Sequence, residues 1–191
     1  YHVNTGQDFN LEAKEFVYLT ADAGVGAAAV GIGGALGVAL ARNTSRSTIK
    51  ANVESAKITT GENVSVIAEA SNNLPDTFSS AISAGLVAGA GNRAESLIET
   101  TVESKVSNGS IVEADSDIFI SSNAFTRARA NGAGGVLGGI AVGAMTAKVE
   151  LGNRSTMKAD VLTVIGNPDA ADQTSLLAKG NIDVQATGHD D

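Results

Sequence analysis

From Ala27 to Ala41 the odd positions read Ala, Ala, Gly, Gly, Ala, Gly, Ala, Ala, and the even ones read Ala, Val, Ile, Gly, Leu, Val, Leu. One face is uniformly small and the other mostly large. That is period 2, the signature of a strand, rather than the 3.6 of a helix. The pattern predicts that the large face fills a narrow interior. The small face would let a neighbouring backbone approach closely, as strand glycine often signals.

A shorter alternation occurs four times, as "VYLTADA" (Val17–Ala23), "VSVIAEA" (Val64–Ala70), "IFISSNA" (Ile118–Ala124) and "IDVQATG" (Ile182–Gly188), with starts 47, 54 and 64 residues apart. Each reads as a half-buried strand. "RSTIKANV" (Arg46–Val53) returns as "RSTMKADV" (Arg154–Val161) with six of eight positions identical, and more loosely as "ESLIETTV" (Glu95–Val102). "GIGGALGV" (Gly31–Val38) matches "GVLGGIAV" (Gly135–Val142), aligning Ile32, Leu36 and Val38 with Val136, Ile140 and Val142, and more weakly "AISAGLVA" (Ala81–Ala88). Each unit therefore runs in one order: a Gly/Ala-rich segment, an "RST[IM]KA" segment, a turn such as "TTGEN" (Thr59–Asn63), and a closing strand. The units cover approximately residues 24–70, 71–124 and 125–188, with "NPDAADQTS" (167–175) inserted in the third. Polar insertions at one point of a repeat map to a rim loop.

Two other readings of the Gly/Ala-rich stretch are weaker. Ala23–Ala41 has the length of a membrane helix and carries Gly33 and Gly37 as a GxxxG pair. It is too rich in Gly, a poor helix former, and too short of bulky residues to favour lipid, so membrane insertion is not expected. "GVGAAA" (Gly24–Ala29) fits a dinucleotide-binding fingerprint, but after Asp22 the next acid is Glu54, beyond reach of a ribose.

Units that cannot bury their aliphatic face alone stack on one another. The expected fold is all-β: a parallel β-helix, or β-solenoid, forming one segment of a longer chain. A ~50-residue unit would make two coils, because strands ordinarily run to about five residues. Ser, Thr and Asn at repeated positions then read as turn and ladder chemistry.

Composition narrows the function classes. The net charge of −8 argues against nucleic acid as a partner. The chain has no cysteine, which removes disulfides, thiol catalysis and thiolate metal sites. Aromatic residues make up only 4% of it and glycines number 22, which suits tightly stacked sheets. The start "YHVNTGQDFN" lacks the basic and apolar regions of a signal peptide, and both termini read as cuts within a longer chain.

The stretch from Gly31 to Ser71 resembles the Gly/Ala-rich repeats of very large bacterial exoproteins: autotransporter and two-partner-secreted adhesins, and leukotoxin-like proteins. The order there is similar, ending in "G-x-[ND]-V-x-V-x-A", which Gly61, Asn63, Val64, Val66 and Ala68 match. The resemblance implies an extracellular or cell-surface β-helical shaft with right-handed coils. It carries over no functional residues.

No catalytic constellation stands out. His2 and His189 lie near opposite ends. "STIK" (Ser47–Lys50) and "STMK" (Ser155–Lys158) match the S-x-x-K of serine acyl enzymes, but their repetition marks them as structural. "NTS", "NGS" and "NRS" (from Asn43, Asn108 and Asn153) are formal sequons of the kind that Asn- and Ser-rich chains produce by chance. Asp115 with Asp117, on one side of one strand, and Asp169 with Asp172, in the inserted loop, could supply oxygen ligands to Ca²⁺. Solvated surface acids are the favoured reading, and no cofactor is expected. The sequence thus reads as a non-enzymatic adhesive or structural shaft, partnered by a surface protein or glycan of a host or neighbouring cell, or by itself. The alternatives are a polysaccharide-active β-helix enzyme and a membrane-active toxin segment.

Overall fold

A computed structural model describes residues 1–30, 33–151, 160–166 and 173–190. Regular structure there is all β-strand and every strand pairing is parallel. The chain is a parallel β-solenoid. Its first rung comprises β1 (His2–Thr5), β2 (Phe9–Ala28) and β3 (Gly34–Glu54). The second has β4 (Lys57–Thr60), β5 (Val64–Ala84) and β6 (Val87–Ser107). In the third, β7 (Ile111–Ala114) leads to β8 (Ile118–Ala128) and β9 (Asn131–Leu137), then β10 (Ile140–Leu151) and β11 (Asp160–Ile165). A fourth holds β12 (Ser175–Ala178) and β13 (Ile182–Asp190).

Like strands stack into three sheets. The short sheet runs β1-β4-β7-β12; one long sheet contains β2, β5, β8, β9 and β13, and the other β3, β6, β10 and β11. The expectation of two coils per unit fails. Phe9 stands beside Val64, Val64 beside Ile118, and Ile118 beside Ile182, so one unit makes one rung. The reason is strand length: β2, β3, β5 and β6 run to 20 or 21 residues and use up the unit between them.

The faces of the Gly/Ala-rich strand are also the reverse of the sequence expectation. Ala35, Gly37, Ala39 and Ala41 point inward, whereas Leu36 (73% exposed) and Val38 (67%) point out, as does Leu40. The turns explain this. Only Gly85 and Leu86 separate β5 from β6, and only Gly138 and Gly139 separate β9 from β10. Sheets joined by so short an arc lie too close together for large side chains between them. A Cβ on Gly37 would already sit 3.3 Å from the Ile82 carbonyl oxygen and 3.4 Å from Val25 Cγ1. A Cβ on Gly138 would collide with the Gly85 carbonyl oxygen, so successive arcs nest only as glycine.

The interior changes chemistry away from this thin edge. Ala39, Ala81 and Ala90 pack first. A zone of buried Asn43, Ser45, Asn72, Thr77, Ser96 and Thr100 follows. Beyond it the short sheet supplies a third wall, and Ile49, Val66, Val102, Ile118 and Ile120 pack into an aliphatic core with Ile58 and Val112. Polar side chains are tolerated in the middle because they satisfy one another. Ser45 Oγ donates to Asn72 Oδ1 (2.9 Å), and Asn72 Nδ2 donates to Thr100 Oγ1 (2.8 Å).

The structure realigns the repeats. Val64 pairs with Phe9 rather than Val17, Arg46 with Glu99 rather than Glu95, and Leu36 shares a row with Gly89 and Val142 rather than Ile140. These three errors are shifts by an even number of residues, and a period-2 pattern looks the same after any even shift; the weaker match to Ala81–Ala88 is off by three, since Val38 lies beside Gly91 rather than Ala88. One irregularity is built in. Tyr18 pairs with Asn73 but Thr20 with Asp76, so β5 bulges at Leu74–Pro75, where proline's missing N–H costs the ladder least.

Candidate functional site

Two surfaces carry the chain's concentrated polar chemistry. The first is the turn entering the long sheet of β2. In each rung one Asx side chain accepts the backbone N–H of the Asx one rung on. Asn63 N donates to Asp8 Oδ1 (3.0 Å), Asp117 N to Asn63 Oδ1 (3.1 Å), and Asn181 N to Asp117 Oδ1 (2.7 Å). Asn63 Nδ2 adds a second bond to Asp8 (3.0 Å). The backbone and side-chain bonds from Asn63 hold the Asp8 carboxyl below its ordinary pKa. Glycines keep the turns stackable: a Cβ on Gly61 would lie 2.7 Å from the Gly6 carbonyl oxygen, and one on Gly180 would strike the Asp117 carboxylate.

This places the sequence candidates. Asp115 and Asp117 lie in the turn between β7 and β8, not on one face of a strand. The turn sends them to different partners, Asp115 Oδ1 to Lys179 Nζ (2.7 Å) and Asp117 to Asn181. Asp169 and Asp172 lie outside the described residues, as do most of the 167–175 insertion and Ser155 and Lys158. Among the described residues no three His, Cys, Asp or Glu side chains come close enough to hold a metal ion. Ser47 and Lys50 project from opposite faces of β3. Ser47 Oγ donates to Thr100 Oγ1 (3.2 Å), while Lys50 pairs outside with Glu103. His189 stacks on Phe125 with centroids 5.5 Å apart. No helix among the described residues is long and apolar enough to cross a membrane.

Beside Asp115 an open depression of about 380 Å³ is lined by Thr59, Glu113, Asp115, Leu177 and Lys179. Its acids are engaged. The Thr59 hydroxyl donates to Glu113 Oε2 (3.0 Å) and Lys57 Nζ lies 3.3 Å from the same oxygen. The Thr59 bond, then Lys57, lower the Glu113 pKa. At the thin edge a cavity of about 130 Å³ is walled by Ala81, Ala90, Asn92, Gly134, Val136 and Met145, a lining without an acid or a base.

The second surface is the outer face of the sheet built on β3 and β6, and period-2 reading missed it by turning β3 inside out. Along β3 three cations stand four residues apart, Arg42, Arg46 and Lys50, before Glu54 ends the strand. Each faces a glutamate on β6, with Arg42–Glu95 at 3.3 Å, Arg46–Glu99 at 3.1 Å and Lys50–Glu103 at 3.3 Å. Toward the thin edge the same face turns apolar. Leu36, Val38 and Leu40 stand on the first rung and Ile140 and Val142 on the third, all exposed. Between them the second rung offers Gly89 and Gly91. The signal was present in the sequence, since Arg42, Arg46 and Lys50 share the parity of Leu36 and Val38, and a cationic row belongs outside.

Comparison with protein-family models, curated proteins and solved structures finds no match for this chain.

Proposed function

We propose that this chain is a non-enzymatic shaft segment of a large secreted or surface-bound bacterial protein, presenting broad sheet faces to a protein or glycan of another cell. The observation that carries the reading is rung-to-rung continuity. The Asx column from Asp8 through Asn63 and Asp117 to Asn181 and the backbone ladders of the sheets run through successive rungs in one direction. Such a stack resists shear because many bonds must break together, which suits a spacer under load. The Gly/Ala-rich repeat resemblance and the absence of cysteine agree with export of a chain that must stay free of bridges.

Beads coated with the chain and flowed over epithelial or bacterial cell layers test it. Retention that a soluble excess of the chain competes away is the expected result. Failure to adhere, together with release of oligosaccharides from acidic polysaccharide in the presence of Ca²⁺, would overturn it in favour of an enzyme acting at the Glu113–Asp115 depression. Leakage of dye from liposomes would instead favour a membrane-active segment.

A further inference from the structure

The outer face of the β3–β6 sheet leaves a group of large apolar side chains uncovered. On the first two rungs of its thin-edge half Leu36, Val38, Leu40 and Val87 are all exposed. Together they present on the order of 400 Å² of apolar surface, within the range of the largest patch a monomer leaves bare and about half of the ~800 Å² per partner of a standard interface, to which the charged rows add. Water contact on that scale is costly, and an occupant relieves it.

Relief and charge on this face select one geometry. Leu36, Val38 and Leu40 form a ridge on the first rung, and the row partners of Leu36 and Val38 on the second rung are Gly89 and Gly91, a trough. Arg42, Arg46 and Lys50 continue the ridge as a cationic row, and Glu95, Glu99 and Glu103 continue the trough as an anionic one. A two-fold axis parallel to the strands, passing between the first and second rungs, keeps each residue's row and exchanges the rungs. It sets Leu36 opposite Gly89, Val38 opposite Gly91, Leu40 opposite Arg93, Arg42 opposite Glu95, Arg46 opposite Glu99 and Lys50 opposite Glu103. The same operation thus matches ridge to trough at Leu36 and Val38 and cation to anion at the three charged pairs, with the aliphatic stem of Arg93 meeting Leu40 where the apolar half gives way to the charged one. From this we infer that the β3–β6 outer face is an isologous, face-to-face interface with a second copy of this chain. The shaft reading stands apart from it: a chain that stays monomeric would remove the interface and leave that reading unaltered.

Sedimentation equilibrium of the whole chain between about 1 and 100 µM, the weak end of the range that interfaces span, tests the inference. A monomer–dimer equilibrium is expected. Val38→Asp and Gly91→Leu should each raise the dissociation constant at least about tenfold by charging the ridge or filling the trough. A Cβ on Gly91 meets nothing closer than the Ala144 carbonyl oxygen at 3.8 Å, so an unchanged thermal melt will show that G91L still folds. Arg46→Glu should weaken the dimer and the Arg46→Glu/Glu99→Arg exchange restore it. A monomer at 100 µM overturns the proposal. So does a dimer that V38D and G91L both leave intact, because association then runs through sheet edges. Co-sedimentation with phosphatidylcholine vesicles that V38D abolishes, without self-association, would assign the face to lipid and overturn it equally.

Discussion

The side-chain amide of Asn43 crosses the interior and donates to the hydroxyl of Thr77, 2.8 Å away on the opposite sheet. It also reaches the carbonyl oxygens of Leu19 (3.4 Å) and Asp76 (3.3 Å), which flank the bulge at Leu74–Pro75. One rung on, Ser96 takes the same row and donates to the Arg129 carbonyl (2.9 Å), while sharing a 2.6 Å bond with Thr77. Asn43→Ala leaves buried acceptors unmet and should cost about 2–3 kcal/mol in urea unfolding. Asn43→Asp keeps an acceptor for Thr77 but loses both donors, so it should not restore stability.

The inversion of the Gly/Ala strand is testable through size. Ala81→Leu, at a position 1% exposed in the thin zone, forces the two long sheets apart and should lower stability by about 1–3 kcal/mol or prevent folding. Leu36→Ala removes a side chain from solvent and should change stability by less than about 0.5 kcal/mol. The opposite ranking in chemical denaturation would restore the large-face-inward reading.

At the wide end the ordinary rules of a packed core apply. Ile120 is fully buried between the three sheets. Ile120→Ala should cost about 2–5 kcal/mol, since rigid ladders on every side leave the cavity little room to collapse.

Acid sensitivity should come in part from the turn ladder. The folded pKa of Asp8 is depressed by its bonds from Asn63, and that of Glu113 by Thr59 and then Lys57. A depressed carboxyl stabilises the fold above its unfolded pKa, near 4, and loses that contribution as pH falls through the folded value. The melting temperature should therefore drop below about pH 4. Asp8→Asn keeps the acceptor, as Asn63 does in the next rung, and should flatten part of that drop. An unaltered pH profile in D8N would remove Asp8 from the account.

How far the sequence revealed the fold depended on whether a signal survives sliding. Alternation over Val64–Ala70 and Ile118–Ala124 announced parallel strands, and their 54-residue offset is the true rung spacing. Alternation alone could not choose between Phe9 and Val17 as the partner of Val64, because an even slip leaves the inward set inward. The short sheet went unseen. "KITT" (Lys57–Thr60) spans too few residues to show a period, and its Thr59–Thr60 read as part of a turn. The turn ladder was partly legible, since Asn63 sits in a turn and fills the [ND] position of the motif that the stretch resembles. Its equivalents Asp8 and Asp117 differ in letter but present the same Oδ1 acceptor. Face assignment failed because the larger residues of a strand were assigned to the core. Here Gly85–Leu86, an arc too short to span two ordinary side-chain layers, reverses that choice.

Strands this long also set the proportions of the molecule. A strand of 20 residues extends about 65 Å, whereas each rung adds only about 4.8 Å of height. Four rungs therefore make a body several times broader than it is tall, closer to a plank than to a rod. Reach is gained slowly, at roughly eleven residues per ångström of height, while flat area accumulates with every rung. A protein built this way invests its length in width, and its contacts with the outside fall mainly on its two broad sides.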